Sequence, residues 1–378
     1  QLVLLIAVKY AGFFFGAFID LPKLHLPLGV SFYTFHAISY LVDVYRQKTP
    51  PQKNLLRLGL YLALFPKLVM GPIVPYHELE PALAQRTIDA QDVSDGCFRF
   101  TIGLAKKALL ADALAGLVTG IWGDLASLTV LSAWLGLIGY ALQLYFDFSG
   151  YSDMAIGLGR MLGFRFPENF RYPYLCSSIS DFWRRWHISL GSWFKEYLYF
   201  PLGGSRAGTL RTLRNLLLVW LATGLWHGAS WNYVLWGLYF GVLICLEKLL
   251  APRFRAHPRK GLLAGLYRPV CLLLAVLGWV LFRAEDLPAA GRYFACLFGG
   301  AAGASAQARL YLHDFWPVLL LGAVGATPLC AKLAGRLGAK LQPGVRAAVQ
   351  TVLVLALLAC STVWLLNGSF QSFVYFQF

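Results

Sequence analysis

Charge is scarce in this sequence. Only 13% of its 378 residues are charged, against 58% hydrophobic, whereas a soluble globular chain carries about a quarter charged residues; a water-soluble fold is excluded. No polar stretch is long enough for a separate soluble domain, and there is no internal repeat or low-complexity linker, so residues 1–378 read as a single integral-membrane domain. Seven cysteines stand at positions 97, 176, 245, 271, 296, 330 and 360. The odd count and the lack of paired spacing exclude a disulfide framework and leave no metal-ligand pattern. Zinc-protease, P-loop, GxSxG and dinucleotide-binding patterns are likewise missing, and SGYSDM is not a nucleophile elbow because no strand precedes it. The chain opens on Gln1 rather than Met and at once enters the apolar stretch Leu2–Ile19. An N-terminal part is therefore expected to be missing, and no signal peptide is assigned.

What the sequence has instead is apolar runs along its whole length, among them Leu216–Trp226, Tyr233–Leu246, Leu272–Phe282, Phe315–Val324 and Ala348–Leu366. A helix needs ~20 mostly apolar residues to cross a bilayer. The pattern predicts an all-α polytopic membrane protein of about ten spans. The net charge of +15 does not point to nucleic acid, because the basic residues cluster in short connections at Arg46–Arg57, Arg206–Arg214, Arg253–Lys260 and Lys332–Arg346. Membrane lipid is the expected partner, and the clusters suit cytoplasmic loops, although nearly every connection carries some Lys or Arg and orientation stays open. Trp and Tyr near the ends of the runs are interfacial anchors.

Two stretches do not behave as ordinary spans. Leu64–Tyr76 carries Pro66, Gly71, Pro72 and Pro75 in apolar surroundings, and so broken a backbone must be buried in protein or line a cavity. Arg171–Gly204 mixes Asp181, Arg184, Arg185, His187, Lys195 and Glu196 with aromatics; it reads as helices dipping into the membrane around a polar cavity.

His227, in GLWHGASW, falls between two apolar runs, and His187 lies in FWRRWHISL within the broken segment. An ionisable side chain at membrane depth is costly unless it faces an internal cavity. A neutral imidazole there could take a proton from an attacking hydroxyl, or His227 could simply bond a backbone carbonyl at a helix end. His187, flanked by arginines, could equally sit at an interface. Arg184 and Arg185 suit either a phosphate of a donor or lipid headgroups. Asp147, Ser149 and Asp153 read as structural hydrogen-bonding groups. Tyr375, in the C-terminal SFVYFQF, is either an interfacial anchor or an acyl carrier.

These segments together resemble the membrane-bound O-acyltransferase family, in its bacterial branch typified by the membrane subunit of alginate O-acetylation. The resemblance runs from about Leu28 to Phe378. It is carried by LPLGVSFYTFHAISYLVDVYR, FPKLVMGPI, GLAKKALLAD, QLYFDFSGYSDMAIGLGRMLGF, NFRYPY, SISDFWRRWHISLGSWFKEYLYFPLGGSR and NLLLVWLATGLWHGASWNYVLWGLYFG. It implies about ten transmembrane helices with re-entrant helices around a central tunnel. It also implies catalytic roles for His227 and His187, and for Tyr375 as acceptor of the acyl group. Asp181, Arg184, Arg185, Trp186 and Trp226 would line the substrate path. The expected donor is acetyl-CoA or another acyl thioester, with no metal. Expected partners are an extracytoplasmic SGNH-type acetyltransferase or other polymer-modifying subunits, or an acyl carrier protein, at the bacterial inner membrane. The runner-up within the class is D-alanyl transfer to teichoic acid. From another class, a non-catalytic transporter of an acyl group would also use broken helices and buried ionisable groups, but the sequence has no internal echo of two halves.

Overall fold

The computed structural model describes residues 29–206, 208–256, 262–369 and Phe373. Every regular element among them is helical. Among the described residues four helices are long and apolar enough to cross a membrane: Val130–Met161, Trp231–Leu250, Gly265–Arg283 and Pro343–Asn367. A fifth span is made if Ala306–Gly325 and Leu329–Gly338, bent by 67° at their junction, count as one. The apolar helices and the absence of strands among the described residues accord with an integral membrane protein. The chain divides into two compact units that interleave in sequence.

The first unit takes residues up to Phe100, Ser152–Asn169 and His187–Cys245. It holds the helices Val30–Tyr45, Leu55–Ala63 and Tyr76–Ala84, the short Ile188–Phe194, and Thr209–His227. Local chemistry sets several of the boundaries. Asn54 caps Leu55–Ala63 by accepting hydrogen bonds from the backbone N–H of Leu56 and Arg57, which satisfies donors that have no partner inside the helix. The next helix is a single turn, Phe65–Leu68, with Pro66 in its first turn, where a missing N–H costs nothing.

The chain then runs without helix through Gly71, Pro72, Ile73 and Val74, all buried. This is the enclosure expected for so broken a backbone. Tyr61 contributes to it: its phenol donates to the Val74 carbonyl at 3.0 Å, with the His36 carbonyl at 3.3 Å. Around it, Tyr61, Leu64, Val74, Tyr76, Leu79, Leu83, Phe164 and Phe166 form an apolar core.

Carboxylates in apolar stretches of this unit are paired, as burial requires. Asp153 accepts from Arg99, which also reaches Glu168. Asp43, fully buried, accepts from Tyr197 Oη at 2.9 Å and lies 2.7 Å from His77 Nδ1.

The second unit takes Thr101–Tyr151, Phe170–Trp186 and Leu246–Phe378. Within it, a π-helical turn at Lys106–Ala111 interrupts the passage into the helix Asp112–Trp122. Lys107 Nζ is 2.7 Å from both Asp112 Oδ1 and Asp147 Oδ1. Asp147 and Asp153 are thus hydrogen-bonded as expected, whereas the buried Ser149 Oγ has no hydrogen-bond partner among the described residues.

Candidate active site

His227 is the last residue of the helix Thr209–His227. Gly228 follows in extended backbone, and a β-carbon there would meet the Tyr233 ring at 2.3 Å. One turn back, a β-carbon on Gly224 would lie 2.3 Å from Tyr233 O, and one on Gly237 would lie 2.4 Å from Trp220 O. Small residues thus let the two helix backbones touch, and that contact places the His227 ring among aromatics. Its centroid is 4.8 Å from Trp226 and 4.9 Å from Trp236, nearly perpendicular to the latter. His227 is buried.

His187 precedes the short helix Ile188–Phe194 with φ 45° and ψ 54°. This left-handed conformation costs a non-glycine residue about 1–2 kcal/mol and persists only where the surroundings enforce it. Asn169 enforces it. The Asn169 carbonyl accepts from Ile188 N at 3.0 Å. Its side-chain Oδ1 accepts from Ser189 N at 3.1 Å and Ser189 Oγ at 3.0 Å, and lies 3.2 Å from His187 Nδ1.

A backbone N–H can only donate, so the Asn169 atom facing Ser189 is the carbonyl oxygen. The same oxygen facing His187 therefore makes Nδ1 the donor, with the lone pair of the imidazole on Nε2. Asn169 is fully buried, and its role was not foreseen from sequence. Its only local signal is its place in NFRYPY, 18 residues before the histidine it holds.

Trp226 joins the two histidines, its ring 4.8 Å from His227 and 6.4 Å from His187. Phe32 and Phe35 on the helix Val30–Tyr45 pack on the same indole at 5.7 and 5.2 Å. Phe35 is backed in turn by Trp193, whose indole N–H donates to Ser39 Oγ at 3.0 Å. The result is an aromatic-walled constellation around two buried imidazoles.

The remaining expected residues lie in the second unit. Asp181 accepts from Ser177 N at 2.9 Å, Ser177 Oγ at 3.2 Å and Arg185 Nε at 3.0 Å, with Arg184 at 3.5 Å. Its own N–H goes to the capping Ser178 Oγ. Arg185 is thus tied by its neighbour four residues earlier, whereas the Arg184 side chain is 70% exposed. Trp186 is buried, stacked on Phe182 at 5.8 Å and 4.8 Å from Trp279. Glu247 anchors this short helical segment by accepting from Ile179 N and Ser180 N and from the Tyr267 phenol. Tyr375 lies outside the described residues.

The family model for membrane-bound O-acyltransferases matches residues 39–264, a span that includes His187, His227, Asn169 and Trp226. The chain belongs to that family. Among curated relatives, a protein named probable alginate O-acetylase AlgI from Pseudomonas fluorescens is 48% identical over 277 residues, covering 72% of this chain and 54% of that protein. The peptidoglycan O-acetyltransferase of Helicobacter pylori is 37% identical over 318 residues, covering 75% of this chain and 60% of that protein. The teichoic acid D-alanyltransferase of Bacillus subtilis is 29% identical over 248 residues, covering 60% and 62%. The chain spans about half the length of the alginate relatives it matches. Family membership implies an acyl donor.

Proposed function

We propose that this chain is a membrane O-acyltransferase, acetyl being the acyl group, that passes the group from a cytoplasmic thioester for O-acylation of an extracytoplasmic polysaccharide such as alginate. The observation that carries this reading is the pair of buried histidines about Trp226, one of them held in a strained backbone with its tautomer set by Asn169. His227 takes the proton of an acceptor hydroxyl, the phenol of Tyr375 or a group on a partner, as that oxygen attacks the thioester carbonyl. The tetrahedral intermediate collapses, the C–S bond breaks, and the proton passes to the departing thiolate.

His187 either orients a bound group or stabilises the developing charge, and its tautomer favours the first. A neutral ring with its proton on Nδ1 offers no donor at Nε2 to an oxyanion, so His187 orients a bound donor group through a hydrogen bond accepted at Nε2. Arg184 is the better placed of the two arginines to meet an anionic group of the donor, because Asp181 already engages Arg185. Trp226 borders the substrate beside the histidines of the first unit, and Trp186 and Asp181 are substrate-binding candidates of the second.

The finer architecture belongs to the same reading: a single membrane domain of about ten spans with re-entrant helices around a central tunnel, at the bacterial inner membrane. Acetyl-CoA or another acyl thioester is the donor, and an SGNH-type acetyltransferase outside the cytoplasm completes transfer. The higher identity to O-acetylating relatives supports acetyl over D-alanyl transfer. The test is polymer acylation in cells carrying His227→Ala or His187→Ala, with membrane abundance measured alongside. Loss of acylation at normal abundance is expected. Wild-type acylation in His227→Ala would overturn the catalytic account.

A further inference from the structure

The segment that carries Asn169 has no secondary structure of its own to hold it. Residues 164–170 form neither helix nor strand, yet Asn169 Oδ1 meets Ser189 N, Ser189 Oγ and His187 Nδ1 at 3.0 to 3.2 Å. Such a meeting point demands a backbone fixed from elsewhere.

The fixing element is the helix Ala90–Ala105. Two ion pairs strap the segment to it, Arg165 to Asp92 and Glu168 to Arg99. The spacing explains why both form. From Asp92 to Arg99 is about two turns of helix, so the two share a face and stand about 10 Å apart along the axis. The extended chain from Arg165 to Glu168 covers about the same distance. Pro167 keeps that stretch extended, because it fixes its own φ and disfavours helix at the residue before it. Phe166, between the straps, is buried in the apolar core with Phe164.

The strap nearer Asn169 is the more directional. Arg99 Nη1 and Nη2 fork onto the two oxygens of Glu168 at 3.0 and 2.6 Å, while Nε and Nη2 hold Asp153 Oδ1 at 2.8 and 2.5 Å. A forked, charge-assisted pair sets direction as well as distance. The Asp153 side chain is only 8% exposed, and it reaches the guanidinium because the helices touch: a β-carbon on Gly157 would lie 2.6 Å from Gly96 O and 2.7 Å from Phe100 N. The guanidinium cannot turn without leaving Asp153, so Glu168 has one place to dock, and the next residue is Asn169. All of these residues belong to the first unit, as does His187.

We propose that Arg99 is a positioning residue for His187. Its fork on Glu168 sets the backbone from which Asn169 reaches the imidazole. The inference rests on the reading of His187 as part of the acyl-transfer site. The side chains of Arg99 and Glu168 are 34% and 40% exposed, and a pair so exposed contributes little to stability; its loss therefore shows in turnover before it shows in folding.

The test is polymer acylation per membrane-resident protein, measured in cells by mass spectrometry for Glu168→Gln and Arg99→Lys, each alone and combined with Asn169→Ala. Glu168→Gln keeps the shape and removes the charge; Arg99→Lys keeps the charge and removes the fork. Each single variant is expected to lower acylation about tenfold at normal abundance. In the Asn169→Ala background neither lowers it further, because the atom being positioned is gone. Equal fold losses in the two backgrounds, or wild-type acylation in both single variants, would overturn the positioning role. His187→Ala, run beside them, separates this role from the reading beneath it. Acylation lost there but kept in Glu168→Gln and Arg99→Lys removes the positioning role alone, whereas wild-type acylation in His187→Ala removes the part played by His187 and this role with it.

Discussion

Replacing Asn169 with alanine removes the oxygen that holds the proton of His187 on Nδ1, and the cost can be worked from the contacts. The lost orienting hydrogen bond is worth about 0.5–1.5 kcal/mol net. The left-handed backbone at His187, freed to relax by its loosened neighbour Ser189, releases about 1–2 kcal/mol that had held the ring in place. Together they remove about 1.5–3.5 kcal/mol of transition-state stabilisation, or about tenfold to several-hundredfold in kcat at 1.36 kcal/mol per decade. The thioester KM should rise several-fold as well, because Asn169, fully buried, acts through His187, whose Nε2 accepts from the bound donor.

Stability falls as well. Ser189 N–H and Oγ–H, both bonded to Asn169 Oδ1, lose their acceptor at about 1–3 kcal/mol each. Asn169→Asp keeps an oxygen at the same position and should recover most of both losses. The assay is steady-state thiol release by purified enzyme in nanodiscs, normalised to folded protein by thermal unfolding. If Asn169→Ala lowers Tm while kcat per folded enzyme stays at the wild-type value, Asn169 is a structural clamp only and the tautomer argument fails.

Gly224→Ala places a methyl 2.3 Å from the Tyr233 carbonyl; the helices must part, at about 1–3 kcal/mol, and acylation by the membrane-resident protein should fall several-fold as His227 shifts, which cellular acylation with immunoblotting checks. Lys67 is fully buried over the Tyr61 ring at 4.1 Å, and its amine has no hydrogen-bond partner among the described residues. Because an unpaired buried charge is destabilising and apolar replacement relieves it, Lys67→Met should leave Tm unchanged or raise it by a few degrees; a fall of more than ~5 °C in a thermal scan would refute this. The guanidinium of Arg165, with Arg160 beside it, holds the Asp92 carboxyl below the usual carboxylate range. A depressed folded pKa stabilises above the unfolded value and is lost as pH falls through the folded one, so Asp92→Asn should flatten the acid limb of the stability-pH curve below about pH 4, read by urea or thermal unfolding.

Much of this protein was legible in its composition and spacing. Few charges, long apolar runs and basic connections exclude a soluble fold, because a bilayer tolerates only helices whose backbone is satisfied internally. The breaker-rich Leu64–Tyr76 announced a buried irregular segment for the same reason, and the burial of Gly71–Val74 bears that out. His227 and His187 stood out because ionisable groups among apolar neighbours are costly.

What the sequence could not disclose is which groups meet. Trp226 belongs to a motif and is expected to line the substrate path; that it also lies beside both histidines, with Phe32 and Phe35 brought to it by a helix nearly two hundred residues earlier, only the fold decides. Asn169, the strained His187 and the union of Lys107 with Asp112, Asp147 and Phe373 are likewise decided by tertiary packing. Periodicity and apolarity are local properties that act through the solvent, so the sequence carries them openly. A hydrogen bond or a ring contact depends on distances of a few ångströms between segments far apart in the chain, and only the packed fold sets those distances.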